Sequence, residues 1–321
     1  MTALQRTLRK TLGAWLAIGL LACAACAQNA ATTPPQAKSV TQTAPAQANR
    51  DPLAGRKRLL VIADLHTGHQ TAHLASASRA LGELARIGSE SGAYVAILRT
   101  DTQLVTKGET WGAGDYAKGG SKQSRGRSLD YFDAVLFFTN GELDLSDQQK
   151  QDLLDFIAKD GKGFIGIHTA TATAYGWPEY GEMIGGYFDN HPWMVADGRV
   201  IVERPDFPGM AGYAAQPSLR DEFYQMKAPY SRGQVDVLMR LDPATVDLKA
   251  PMVHRTDADF PLAWIKSHGK GRVFYSALGH TDESWDDSRM RDMLRAGILW
   301  AMGGEGSASD PHPPTADSRN D

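Results

Sequence analysis

Residues 163–171 read Gly-Phe-Ile-Gly-Ile-His-Thr-Ala-Thr, an apolar run that ends directly in His168. A histidine at an exposed strand end suits proton transfer near neutral pH, or ligation of a metal. Comparable groups recur further along. His191 sits in the turn-like stretch Asp189-Asn190-His191-Pro192, Glu222 follows Asp221, and His280 follows Leu278-Gly279, where glycine allows close approach of backbone to a ligand. Three imidazoles and a carboxylate can serve as general acids and bases, or can hold a divalent metal such as zinc. His69 and His73 share a helix face at i, i+4, yet Gln70 stands where a His-Glu-x-x-His metalloprotease needs glutamate. Of the early histidines, His66 is expected at the pocket and His73 on the surface.

These groups need elements to carry them. Arg58–Ala63 and Gly163–Ile167 are short continuous apolar runs, the pattern of strands buried on both faces of a parallel sheet. Tyr94–Leu98 and Phe132–Phe138 read as two further strands. Leu74, Ala77, Leu81, Leu84 and Ile87 fall on one helix face, and Ser146 with Gln149 makes a capping box before an apolar helix that ends at Gly161. Pro261–Lys266 and Gly271–Ser276 flank His268-Gly269-Lys270 as a hairpin, and a last amphipathic helix runs from about Asp287 to Met302. Segment 99–130 has no periodicity and reads as a long loop, a lid or an excursion. Alternating strands and helices call for right-handed crossovers and a doubly wound sheet.

In such sheets the ligand crevice lies beyond the carboxyl ends of the strands. That rule brings His168, the Asp64–His69 segment and Thr139-Asn140-Gly141 to one rim. Trp177, Tyr180, Tyr187, Trp193 and Tyr224 surround the same loops. Aromatic faces with polar edges suit the C–H patches of sugar rings, although core packing is the more ordinary use of most such residues.

Gly166-Ile167-His168-Thr169-Ala170-Thr171, Trp177-Pro178-Glu179-Tyr180-Gly181, Gly185-Gly186-Tyr187-Phe188, His191-Pro192, Asp221-Glu222-Phe223-Tyr224 and Gly271–His280 together resemble the trehalose-utilisation (ThuA-like) domain, over about residues 58–302. The resemblance implies an α/β, flavodoxin-like fold of the class I glutamine amidotransferase type: a doubly wound, mostly parallel sheet with helices on both faces and a C-terminal β-hairpin. In those enzymes a Gly-x-Cys-x-Gly elbow carries the nucleophile. His168 stands here in the place of that cysteine, so amidotransfer is excluded and the elbow is expected to serve other chemistry. The resemblance further implies action on disaccharides or their keto derivatives, with His168, Glu222, His280 and His191 catalytic. His66, Asn140, Thr169, Asp189, Tyr224 and Trp177 are then expected to bind substrate. The alternative is a carbohydrate-binding or scaffold protein without turnover.

The ends of the chain are of another kind. Arg6, Arg9 and Lys10 precede an apolar run from about Leu12 to Ala22, too short to span a membrane and shaped as a secretory signal. Leu20-Leu21-Ala22-Cys23 resembles a lipobox with lipidation at Cys23, while Ala25-Cys26-Ala27 also fits ordinary cleavage. The expectation is a signal over 1–27, a disordered tether over 28–54, the folded domain over 55–303 and a disordered tail over 304–321. The protein would be exported to the periplasm and held to the membrane through a lipid anchor only. Both cysteines lie in the signal, so the body has no disulfide, thiolate ligand or cysteine nucleophile. A formal net charge of -3, without a basic stripe, argues against nucleic acid as partner.

Overall fold

The computed structural model describes residues 55–64, 71–108, 110 and 128–304. The expectations for the signal, the tether, Cys23, His66, His69, the centre of the long loop and the tail lie outside them.

Eleven strands and six helices are described. The strands are β1 (Lys57–Ile62), β2 (Tyr94–Arg99), β3 (Ala134–Phe137), β4 (Gly163–Ile167), β5 (Tyr187–Asn190), β6 (Val195–Val202), β7 (Ser218–Glu222), β8 (Gln225–Lys227), β9 (Asp236–Leu241), β10 (Pro261–His268) and β11 (Gly271–Ser276). The helices are α1 (Thr71–Ser91), α2 (Asp147–Ala158), α3 (Pro178–Ile184), α4 (Ala211–Ala215), α5 (Asp282–Asp286) and α6 (Ser288–Ala301). Nine strands form one sheet in the order β2-β1-β3-β4-β11-β10-β9-β6-β7, while β5 and β8 form a separate antiparallel ribbon. From β2 to β11 every pairing is parallel; from β11 to β7 every pairing is antiparallel. The fold is thus α/β and flavodoxin-like in its parallel half, with an antiparallel extension.

The sequence makes each half for a stated reason. β1, β3 and β4 lie inside the parallel half, and Leu59–Ile62, Ala134–Phe137 and Phe164–Ile165 are fully buried, which is why those runs are apolar throughout. At α2, Ser146 accepts from the Gln149 amide while Gln149 returns a bond to Ser146, and Gly161 takes the left-handed conformation (φ 73°). α6 packs on β11 and β4 and meets α1. Tyr180 of α3 packs on Phe137 and Phe164, and Lys150 of α2 lies over the Trp177 ring, so α2 and α3 share the neighbourhood of those rings. The last helix is two helices: Thr281 caps α5 and Asp287 caps α6, each side chain accepting a backbone amide. The long loop is anchored at its start, where Thr102 donates to the Asp144 carbonyl and Thr106 to Asp152.

Candidate active site

β4 ends at Ile167, and the chain turns at once into a 3-10 segment, His168–Ala172. His168 itself has φ 48°, a left-handed conformation that a non-glycine residue adopts only where its surroundings hold it. Those surroundings are visible. The Tyr275 hydroxyl donates to the His168 carbonyl at 2.8 Å, and the Tyr180 hydroxyl donates to the Ala170 carbonyl at 2.8 Å. Gly166 is required beneath the turn, because a Cβ there would meet Ile184 at 2.8 Å and Tyr275 at 3.0 Å. The elbow expected from the sequence is present, with an imidazole on it.

That imidazole is fully buried and has a defined tautomer. Nδ1 lies 2.7 Å from the Ala277 carbonyl, which can only accept, so Nδ1 carries the proton and Nε2 presents its lone pair. Four polar groups face Nε2 or its neighbours. The Tyr224 hydroxyl donates to it at 2.8 Å, His280 Nδ1 lies 3.2 Å away, and Glu222 Oε2 3.4 Å away. His280 Nδ1 is also 3.3 Å from Glu222 Oε2, and His191 Nε2 is 4.0 Å from Glu222 Oε1. Tyr224 and Phe138 lie nearly parallel to the His168 ring, at 4.5 and 6.1 Å between centroids.

A fourth imidazole belongs here. His73, in the first turn of α1, is half-buried with its ring 5.3 Å from His168 and 5.0 Å from His280. This corrects the surface expectation for His73: α1 packs against α5 and α6, which turns its first residues toward the loop after β11. One ligand atom from each of His73, His168, Glu222 and His280 lies within 4.8 Å of the other three. Sequence reading missed His73 because only its helix face was legible, not what that face meets.

The charges are mutually adjusted. Burial disfavours the Glu222 carboxylate, but the imidazoles that face it, with a hydrogen bond from His280, outweigh that and hold the group well below the usual range. The same bond to Glu222 raises His280 against its own burial. Burial, then the neighbouring imidazoles, pushes His73 down to about 4. Tyr224 is raised well above a normal phenol by burial and by Glu222, so its hydroxyl keeps its proton. His73 is thus a neutral donor at neutral pH, opposite an ionised Glu222.

The other expected residues are placed as follows. Thr169 and Asn140 are buried at the ends of β4 and β3, and Thr169 Oγ1 has no hydrogen-bond partner among the described residues. Asp189 is on β5 but bonds Gln225 Nε2 (2.6 Å) and His254 Nδ1 (2.8 Å), while its strand neighbour Phe188 packs on Tyr224 and His191. Phe188 therefore faces the cluster, whereas Asp189, at the irregularity between Phe188 and Asn190, is engaged by Gln225 and His254. Trp177 is buried against Tyr180 in the packing of α3; it sits with the core and not among the histidines, which corrects its assignment as a sugar platform. Pro178 starts α3 directly after it, and the indole is taken up between Tyr180 of that helix and Lys150 of α2.

The fold and the cluster can be set beside known proteins. No curated protein matches the chain. Among solved structures it is similar to a ThuA-like protein of Bacteroides uniformis, at 20% identity and a TM-score of 0.56, covering 80% of this chain and 95% of that one. A ThuA-like protein of Parabacteroides merdae is similar at 15% identity and a TM-score of 0.54, covering 81% and 95%. The family model described as ThuA, trehalose utilisation, matches residues 115–301, more than half of the 321 residues, and contains His168, His191, Glu222 and His280. The chain belongs to the ThuA family.

Proposed function

We propose that this protein is an enzyme of carbohydrate utilisation that acts on a disaccharide or a keto-sugar derivative through a divalent metal held by His73, His168, Glu222 and His280. The observation that carries the reading is the convergence of those four ligand atoms from four separate segments of the chain. The donor set fits the metal. Three imidazoles and one carboxylate are ligands of zinc and of related borderline cations, and among the described residues nothing gives the buried Glu222 Oε2 a hydrogen bond of ordinary geometry. A bound ion would supply Lewis acidity toward a carbonyl or hydroxyl oxygen of the sugar.

The chain's own residues account for the rest. His168 offers Nε2 and keeps Nδ1–H on Ala277, which fixes ring and tautomer together. Were Nε2 engaged as a ligand, the Tyr224 O–H would be available to another acceptor, Glu222 or a sugar oxygen. His191 is about one-third exposed and borders Glu222, so it can exchange a proton between substrate and solvent. The saccharide class is supported by the family's description, trehalose utilisation. Leu20–Cys23, after the basic and apolar N-terminal run, supports work outside the cytoplasm on a lipid anchor.

The test is metal content and turnover together. Purified protein should retain close to one equivalent of zinc, manganese or cobalt, and should convert trehalose, another disaccharide or a 3-keto form in a manner abolished by chelator and restored by the ion. Failure to bind any of these ions, with chelator-insensitive turnover, would sink the metal-centred chemistry. Tight sugar binding with no turnover would favour a binding protein.

A further inference from the structure

Asp221 precedes Glu222 on β7 and is fully buried, yet among the described residues no lysine or arginine pairs with it. Its carboxylate is instead surrounded by donors. Oδ1 accepts from the amides of Glu222 (2.8 Å), His280 (3.1 Å) and Thr281 (3.3 Å). Oδ2 accepts from the Gly279 amide (2.8 Å) and the Ser284 hydroxyl (2.6 Å). Five donors on one carboxylate is full use of its acceptor sites.

The partners matter more than the count. In the sheet, β7 and β11 are separated by β10, β9 and β6, so no strand ladder fixes the loop after β11 to the end of β7. Asp221 makes the shorter bonds of that connection, beside longer ones from Thr281 Oγ1 and Ser284 Oγ to the Arg220 carbonyl at 3.4 Å. Gly279 is where the chain bends to allow it: its φ is +126°, and its carbonyl is held by Trp285 Nε1 at 2.9 Å. A shift of this loop moves His280, whereas a shift of β7 moves Glu222.

We propose that Asp221 is the positioning residue of the site: by gripping the backbone of residues 279–281 from β7, it sets the separation of Glu222 Oε2 and His280 Nδ1. The proposal deepens the metal-centred reading and rests on it. A neutral residue of the same shape cannot substitute. Asparagine has one acceptor oxygen, and its amide would point N–H at backbone N–H on the other side, pushing the loop away from β7. Asp221 meets Glu222 and His280 only through their backbone amides and bonds to none of the ligand atoms, so its effect passes through the two residues it aligns.

The experiment compares Asp221→Asn with wild type and with Asp259→Asn. Asp259 pairs with Arg232 and Tyr230 and makes no hydrogen bond or ion pair with the histidines or Glu222, so its variant controls for lost stability alone. Cobalt(II) is the probe. Asp221→Asn should bind it about 10- to 100-fold more weakly, the scale for loss of an outer partner, with a changed visible ligand-field spectrum. Asp259→Asn should keep the wild-type spectrum and affinity even where its melting temperature falls as far. Wild-type affinity and spectrum in Asp221→Asn would overturn the proposal. If wild type itself takes up no cobalt, the metal reading falls by that result, and the crystal structure of metal-free Asp221→Asn decides separately. Residues 279–281 displaced from β7 would support positioning; an unmoved loop with the Glu222–His280 distance unchanged would overturn it. Should Asp221→Asn not fold, Ser284→Ala removes one donor, and is expected to weaken cobalt binding in the same direction by less; no change there would equally overturn it.

Discussion

His168 Nδ1 lies 2.7 Å from the carbonyl oxygen of Ala277, and this one bond determines what the other ring nitrogen can do. With the proton pinned on Nδ1, Nε2 is available as a lone pair toward Glu222 and His280. His168→Asn should keep the backbone, since asparagine tolerates the left-handed conformation better than most residues. Divalent metal affinity is then expected to fall by more than the roughly 10- to 100-fold typical of an outer partner. Isothermal titration with zinc checks this, with circular dichroism as the control for folding.

Tyr224 predicts a split result. Its hydroxyl competes for the His168 lone pair, so Tyr224→Phe should bind metal at least as tightly as wild type. If the same O–H serves a sugar oxygen during turnover, kcat falls about 100-fold, the scale for losing one preorganised donor. Parallel loss of both properties would mean that Tyr224 merely shapes the pocket.

The metal-free protein should lose stability on both sides of neutrality, for opposite reasons. His73 resists protonation when folded down to about pH 4, but not when unfolded below 6.5, so stability falls as pH drops through that window. His280 is raised by Glu222, so its contribution is complete below 6.5 and is lost as pH rises through the folded value. His73→Asn should flatten the acid side of the stability profile and His280→Asn the alkaline side. Denaturant titrations in chelator, from about pH 4.5 to 8.5, read both.

Gly279→Ala joins strain to misplacement. The backbone at φ +126° is unfavourable for alanine, and a Cβ there lies 3.2 Å from Trp285 and 3.3 Å from Ile167 and Met290. A stability loss of about 1–3 kcal/mol is expected, together with weaker metal binding because His280 follows directly. A shift of the denaturation midpoint without any change in metal affinity would show that the loop absorbs the strain.

The parallel half of the fold was legible because its strands are buried on both faces and therefore apolar without interruption, as at Leu59–Ile62 and Phe164–Ile167. The capping box at Ser146 and the hairpin at residues 261–276 carried their own local chemistry. β7 was not legible. Ser218-Leu219-Arg220-Asp221-Glu222 is an edge strand, paired on one side to β6, and its polar sequence reads as a surface loop. Histidines at strand ends could be gathered by the general rule for such sheets, which found His168 and His280. His73 could not, since nothing local distinguishes it from a solvated first-turn residue; only the packing of α1 does.

The four donors come from the start of α1, the end of β4, the end of β7 and the loop after β11, so they span the chain from residue 73 to residue 280. An ion held by them, as proposed, would tie distant stretches of chain into closed loops, as a removable staple would. A cut anywhere between those residues separates at least one donor from the rest of the chain, and synthesis must pass residue 280 before the set is complete. On the metal-centred reading, retention of the ion would report that all four segments are folded together, and a protease is expected to open the chelated protein faster than the loaded one.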